Sequence, residues 1–177
     1  MRKAMVDFPI TLEAVNAMAV PDLIAAFGDV AEHSPWVATR AAAQRPFASR
    51  RAMIEAFADE VREAGPAEKL ALLRAHPDLA GRAAVAGEMA ADSRREQAGA
   101  GLDTLTPEEF GRFTELNESY TAKFGFPFIL AVRGADKQTI LAAFAERIER
   151  DPQAELAMAV SEVARIIGFR IEDRVQP

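Results

Sequence analysis

TPEEFGRFTELNESYTAKFG, running from Thr106 to Gly125, is the stretch that decides how this chain folds. Thr106, Pro107, Glu108 and Glu109 form a capping box. The threonine hydroxyl accepts from the third helical amide, the glutamate reaches back to the cap, and proline sits where a missing N–H costs nothing. Phe110, Phe113, Tyr120 and Phe124 then recur on one helical stripe, with Asn117 inside it. Gly125 follows as a residue free to turn left-handed and stop the helix. A start, an apolar face and a stop in one segment predict a long amphipathic helix.

The same punctuation extends outward in both directions. Ser34-Pro35 opens a segment through Gln44, and Ser49 opens another through Ala64, with Met53, Phe57 and Val61 on one face. Gly65 closes that helix and Pro66 opens the next, to about Ala75. Asp136 caps a helix through Glu149, and Asp151-Pro152 starts the last one, to about Asp173. Only Phe126 to Val132 reads as extended. One short apolar run without a partner strand does not make a sheet, so it is expected as a buried connector between helices. The expectation is an all-α fold: a single compact multi-helix bundle of about seven to nine helices, with no significant sheet, in one domain over 1–177.

Composition sets the limits. A chain of 177 residues with 50% hydrophobic residues and mean hydropathy −0.04 can bury one real core. A net charge of −6 argues against nucleic acid as a partner, since phosphate binding needs a basic surface. There are no cysteines and two histidines, His33 and His76, which excludes thiol chemistry and a histidine-rich metal site. Carboxylates alone can still hold a hard cation. Met1 to Asp7 has no apolar run behind it, and no stretch approaches the roughly 20 apolar residues of a membrane span. The final Val175-Gln176-Pro177 is not a peroxisomal address. A cytoplasmic location without membrane contact is expected.

Polar groups on apolar faces are the functional candidates. In the last helix Leu156, Val160, Val163, Ile167 and Ile171 form one stripe; Arg170 lies beside it and Arg165 on the opposite face. An inward Arg170 reads either as half of a structural ion pair or as an anion-binding group. Asn117 reads as a helix-to-loop hydrogen bond. In His76-Pro77-Asp78-Leu79-Ala80-Gly81 the proline pushes His76 out of the helical region. A histidine at a helix C-terminus is favoured in its charged form, hence a plausible proton donor; read from the residues alone it is first a plain helix stop with a C-capping histidine. Ser93-Arg94-Arg95-Glu96-Gln97 matches a capping box with Ser93 as cap, and also a helix start able to bind an anion or a urea-like group. Arg94 and Arg95 are expected at the surface. The residues alone leave open an enzyme and a non-enzymatic helical binding module.

The order and wording of the motifs go further. Glu32-His33-Ser34-Pro35-Trp36, Arg45-Pro46-Phe47, His76-Pro77-Asp78-Leu79-Ala80-Gly81, Ser93-x-x-Glu96-Gln97, Leu116-Asn117-x-x-Tyr120, Lys123-Phe124-Gly125-Phe126-Pro127-Phe128-Ile129 and Arg170 together resemble the 2-oxo-4-hydroxy-4-carboxy-5-ureidoimidazoline (OHCU) decarboxylase family, from about Phe27 to Ile171. The resemblance implies His76 and Glu96 as catalytic residues. It implies Pro77, Ser93, Gln97, Arg170 and the backbone of Phe128, Ile129, Leu130, Ala131 and Val132 as substrate contacts. It further implies an all-α homodimer that turns OHCU into (S)-allantoin in urate breakdown, with no cofactor and no metal.

That chemistry suits the composition. Most decarboxylases borrow an electron sink from a cofactor or a Schiff-base lysine. The four lysines here, Lys3, Lys69, Lys123 and Lys137, sit in no apolar pocket pattern, and no phosphate-cradling glycine motif occurs. The implied substrate carries its own sink in its ring. An enzyme then has to orient it, stabilise charge and deliver one proton. Another small ureido or keto acid would fit the same residues.

Overall fold

The computed structural model describes residues 7–81 and 87–177, so Lys3 and most of the opening stretch lie outside the described residues. Among the described residues there are nine α-helices and one 3-10 turn, and no strand. The nearest thing to a sheet is an isolated parallel bridge between Ile10 and Val175. The chain divides into two compact units, Met1–Leu72 with Val163–Pro177, and Leu73–Glu162.

The first unit holds α1 (Leu12–Ala17), α2 (Val20–Phe27), α3 (Trp36–Ala41) running into the turn Ala42–Gln44, and α4 (Arg50–Glu63). It also holds most of α5 (Pro66–Arg74) and the end of the last helix. Ser49 caps α4 as its position predicts, accepting from Ala52 N–H at 3.0 Å. Met53, Phe57 and Val61 are the buried face of that helix. Ser34 is not a cap: its hydroxyl donates to the Glu32 carbonyl at 2.9 Å, and α3 begins after Pro35. Helices α1 and α2, of six and eight residues, are short and not among those the sequence predicts, although Thr11 caps the first and α2 buries Leu23, Ala26 and Phe27 along one face. Arg45 bonds the carbonyls of Met18, Ala42 and Val15 at 2.6, 3.1 and 3.3 Å. Phe47 exchanges two bonds with the Asn16 amide. The Arg45-Pro46-Phe47 motif is therefore architectural, tying α1 to the start of α4.

The second unit holds α6 (Ala91–Gly99), α7 (Pro107–Phe124), α8 (Lys137–Arg147) and the first part of α9 (Pro152–Arg174). Both halves of the α7 capping box are present, at 3.2 Å to Thr106 Oγ1 and 2.9 Å to Glu109 Oε2. Gly125 stops the helix at φ 78°. Asp136 caps α8, and Asp151 accepts from two amides at the start of α9. The α7 stripe points Phe113, Asn117 and Tyr120 into the interior. There Tyr120, Phe126, Phe128 and Phe144 pack together, with Phe128 stacked on Phe144 at 3.7 Å and edge-on to Tyr120 at 5.2 Å. Phe126 to Val132 is the connector its sequence predicts, buried except for the half-buried Leu130, with no strand among the described residues to pair with.

Candidate active site

His76 lies just past the end of α5, its N–H still donating to the Leu73 carbonyl at 3.2 Å. It is 8% exposed. Pro77 cannot continue a helix, and the chain turns away through Asp78, Leu79, Ala80 and Gly81. Two features show how tight that turn is. Ala80 sits at φ 54°, a left-handed conformation that costs a non-glycine residue about 1–2 kcal/mol. A Cβ at position 81 would lie 2.6 Å from Asp78 Cβ, so only glycine fits.

Side chains from two helices hold this loop. Gln97 on α6 accepts from Ala80 N–H at 2.9 Å and donates to the Asp78 carbonyl at 3.1 Å. Asn117 on α7 donates to the Leu79 carbonyl at 2.8 Å. The helix-to-loop bond expected of Asn117 is thus present. Gln97 does the same work, a role its sequence position did not reveal.

Helix α6 begins at Ala91 with Ala90 as cap, so Ser93 is the third helical residue and no capping box forms there. Ser93, Glu96 and Gln97 are spaced i, i+3, i+4 and share one face. Ser93 and Gln97 are buried and Glu96 is half-buried, whereas Arg94 and Arg95 are exposed as expected. Asp92, in the first turn, is ion-paired to Arg95 at 2.5 Å.

The connector Phe128, Ile129, Leu130, Ala131 and Val132 is anchored by charges that the sequence reading passed over. Arg147 donates to the Ile129 carbonyl at 2.7 Å and Glu162 accepts from Ala131 N–H at 2.8 Å. Arg147 also pairs with Glu155, at 2.5 Å through Nη2 and 2.7 Å through Nε, and lies 4.5 Å over the Phe128 ring. The Tyr120 hydroxyl donates to the same Glu155 oxygen. Burial first, and then the neighbouring carboxylate, push that hydroxyl far above its ordinary pKa, so it stays protonated as a donor. Glu155 is 0% and Arg147 4% exposed, so each needs the other: breaking such a pair strands a buried charge, at a cost of about 3–5 kcal/mol. A signal existed, since Arg147 continues the Ile140–Phe144 stripe of α8. The buried stripe of α9 likewise includes Glu155 and Glu162, while Leu156 is only half-buried.

Arg170 belongs to the first unit. It is 2% exposed and pairs with Glu32 at 2.9 Å, with the Val30 carbonyl at 3.3 Å. Arg165 is exposed, as the opposite-face argument requires. The remaining candidates, His76, Pro77, Ser93, Glu96, Gln97 and Phe128 to Val132, all fall in the second unit. That unit also contains a cavity of about 560 Å³ lined by Ala80, Met89, Gln97, Leu102 and Phe110 among others; of the candidates only Gln97 reaches it. No group of three or more acidic or histidine residues that could hold a metal ion occurs among the described residues. No helix among them is long and apolar enough to cross a membrane.

Comparison with known proteins matches the OHCU decarboxylase family model over residues 16–172. A 2-oxo-4-hydroxy-4-carboxy-5-ureidoimidazoline decarboxylase of Halalkalicoccus jeotgali is 41% identical over 95% of this chain and 93% of its own. The uric acid degradation bifunctional protein PucL of Bacillus subtilis is 39% identical over 92% of this chain, which spans 32% of that longer protein. The crystal structure of an (S)-allantoin synthase superimposes with a TM-score of 0.74 at 30% identity, covering 92% of this chain and about half, 53%, of that one.

Proposed function

Because the chain belongs to the OHCU decarboxylase family, we propose that it decarboxylates OHCU to (S)-allantoin in urate breakdown, without a cofactor or metal. The observation that carries the reading is a buried His76 on a loop gripped from two helices, in a chain that retains the whole motif set. Breaking the bond to the carboxyl carbon releases carbon dioxide and leaves an electron pair. The pair is taken into the ring as an enolate, and a proton then arrives on one face of the carbon bearing the ureido group.

His76 handles the proton, either polarising the hydroxyl-bearing centre or protonating the enolate on one face. Glu96 orients His76 or the ureido N–H groups. Ser93 meets the urea tail, and the backbone from Phe128 to Val132, with Pro77, lines the substrate. Gln97 meets the urea tail with Ser93, and its amide, which carries two donors and two acceptor sites, also ties the loop. Arg170 stabilises developing negative charge, with Glu32 fixing its guanidinium. Residues 1–177 act as one domain, in a cytoplasmic homodimer that engages neither nucleic acid nor membrane; the net charge of −6 supports the first of these exclusions.

The test uses OHCU generated freshly from urate, with allantoin followed by circular dichroism. His76→Asn keeps a residue suited to a helix end and removes the titrating group. Turnover should fall by about 10²–10⁴-fold and the allantoin formed should become racemic. A folded His76→Asn protein making (S)-allantoin at the parent rate would overturn the proposal.

A further inference from the structure

We propose that Asn117 is a positioning residue for His76, acting through the Leu79 carbonyl; this rests on reading His76 as the proton-transfer group. The loop from His76 to Gly81 has no regular structure to hold it. Consecutive residues 78, 79 and 80 are instead tied by directional bonds, the outer two to Gln97 and the middle one to Asn117. The same bonds hold Ala80 in its left-handed conformation. A loop fixed at three successive residues has little freedom, and a displacement of about 1 Å in a reacting group can cost about 10²-fold in rate.

Asn117 is also a polar residue in an apolar position. It is 5% exposed, on the same buried stripe as Phe113 and Tyr120, and its Oδ1 has no hydrogen-bond partner among the described residues. Burying an unsatisfied acceptor is unfavourable; an apolar side chain of the same size would remove it but would leave the Leu79 carbonyl without this donor. What an apolar residue cannot do is donate to Leu79. The amide at this position is therefore accounted for by the loop it holds.

Three variants test this. Asn117→Leu keeps volume and removes the donor; Asn117→Asp keeps shape and an acceptor but cannot donate when ionised. Phe113→Leu disturbs the same helix face at a ring that packs on Phe144 and makes no hydrogen bond to the loop. For each, kcat, KM, the enantiomeric excess of allantoin and the melting temperature are measured. Both Asn117 variants should lose about 10-fold or more in kcat with KM within about threefold, because binding groups remain while the proton donor is misplaced. Phe113→Leu should lower the melting temperature and leave kcat near the parent value. Parent-level kcat in either folded Asn117 variant overturns the proposal. So does a kcat loss that Phe113→Leu shares, or failure of both Asn117 variants to fold, either of which makes Asn117 a stability residue. An inactive His76→Asn beside active Asn117 variants removes only this inference; an active His76→Asn removes the reading beneath it.

Discussion

Two segments of the second unit carry the same four-residue pattern, Thr106-Pro107-Glu108-Glu109 and Ser93-Arg94-Arg95-Glu96, and they fold differently. At Thr106 the reciprocal cap forms and the helix starts one residue later. At Ser93 the helix is already under way from Ala91, and the serine is buried beside Gln97. The flanks explain the difference. Leu105 and Phe110 stand at the two positions of a hydrophobic staple around Thr106, and Glu108 and Glu109 favour the positive end of the helix dipole. Around Ser93 the staple positions are Asp92 and Gln97, and two arginines would face that positive end. A capping pattern without its staple and with the wrong charge is better read as a polar helix face turned inward.

The largest expected effect should come from Glu96→Gln. If Glu96 acts on the reaction and caps nothing, turnover should drop by about two orders of magnitude or more while the melting curve hardly moves. Stability lost together with activity would erase the contrast between the two segments.

A smaller, opposite effect is expected of Thr106→Ala. Removing a working cap should cost about 1 kcal/mol, lowering the melting temperature by about 2–4 °C in a chain of this size, with turnover unchanged. An unchanged melting temperature would break the assignment of Thr106 as a true cap.

The smallest effect concerns acid. Lys137 foremost, and then the Thr106 amide, hold the Glu109 carboxyl below its ordinary pKa. A lowered folded-state pKa contributes stability that is present above the unfolded value and disappears as pH falls through the folded one. Urea midpoints of the parent should therefore decline below the ordinary carboxylate range slightly more steeply than those of Glu109→Gln, which retains a neutral capping box. Parallel curves would show that the Lys137–Glu109 contact, at 2.9 Å, is screened into insignificance.

The local rules read correctly at most helix starts and failed at Ser34 and Ser93. Ser49, Thr106, Asp136 and Asp151 begin helices because each cap's hydrogen bonds reach only two or three residues along the chain. The inward Arg170, the outward Arg165 and the buried connector follow from periodicity and composition, as does the absence of a sheet among the described residues. His76 is legible as a helix end because Pro77 forbids continuation.

Tertiary structure decided which partner each inward polar group meets, since those partners lie far away in sequence. Arg170 finds Glu32 across 138 positions and Asn117 finds Leu79 across 38. Gln97 meets the Asp78 carbonyl and the Ala80 N–H of the His76 loop, and the Arg147–Glu155–Tyr120 cluster takes hold of the connector. Periodicity states that such a side chain points inward. It contains no information about what waits there, because a buried charge or amide is satisfied by whichever complementary group the packed chain brings within about 3 Å.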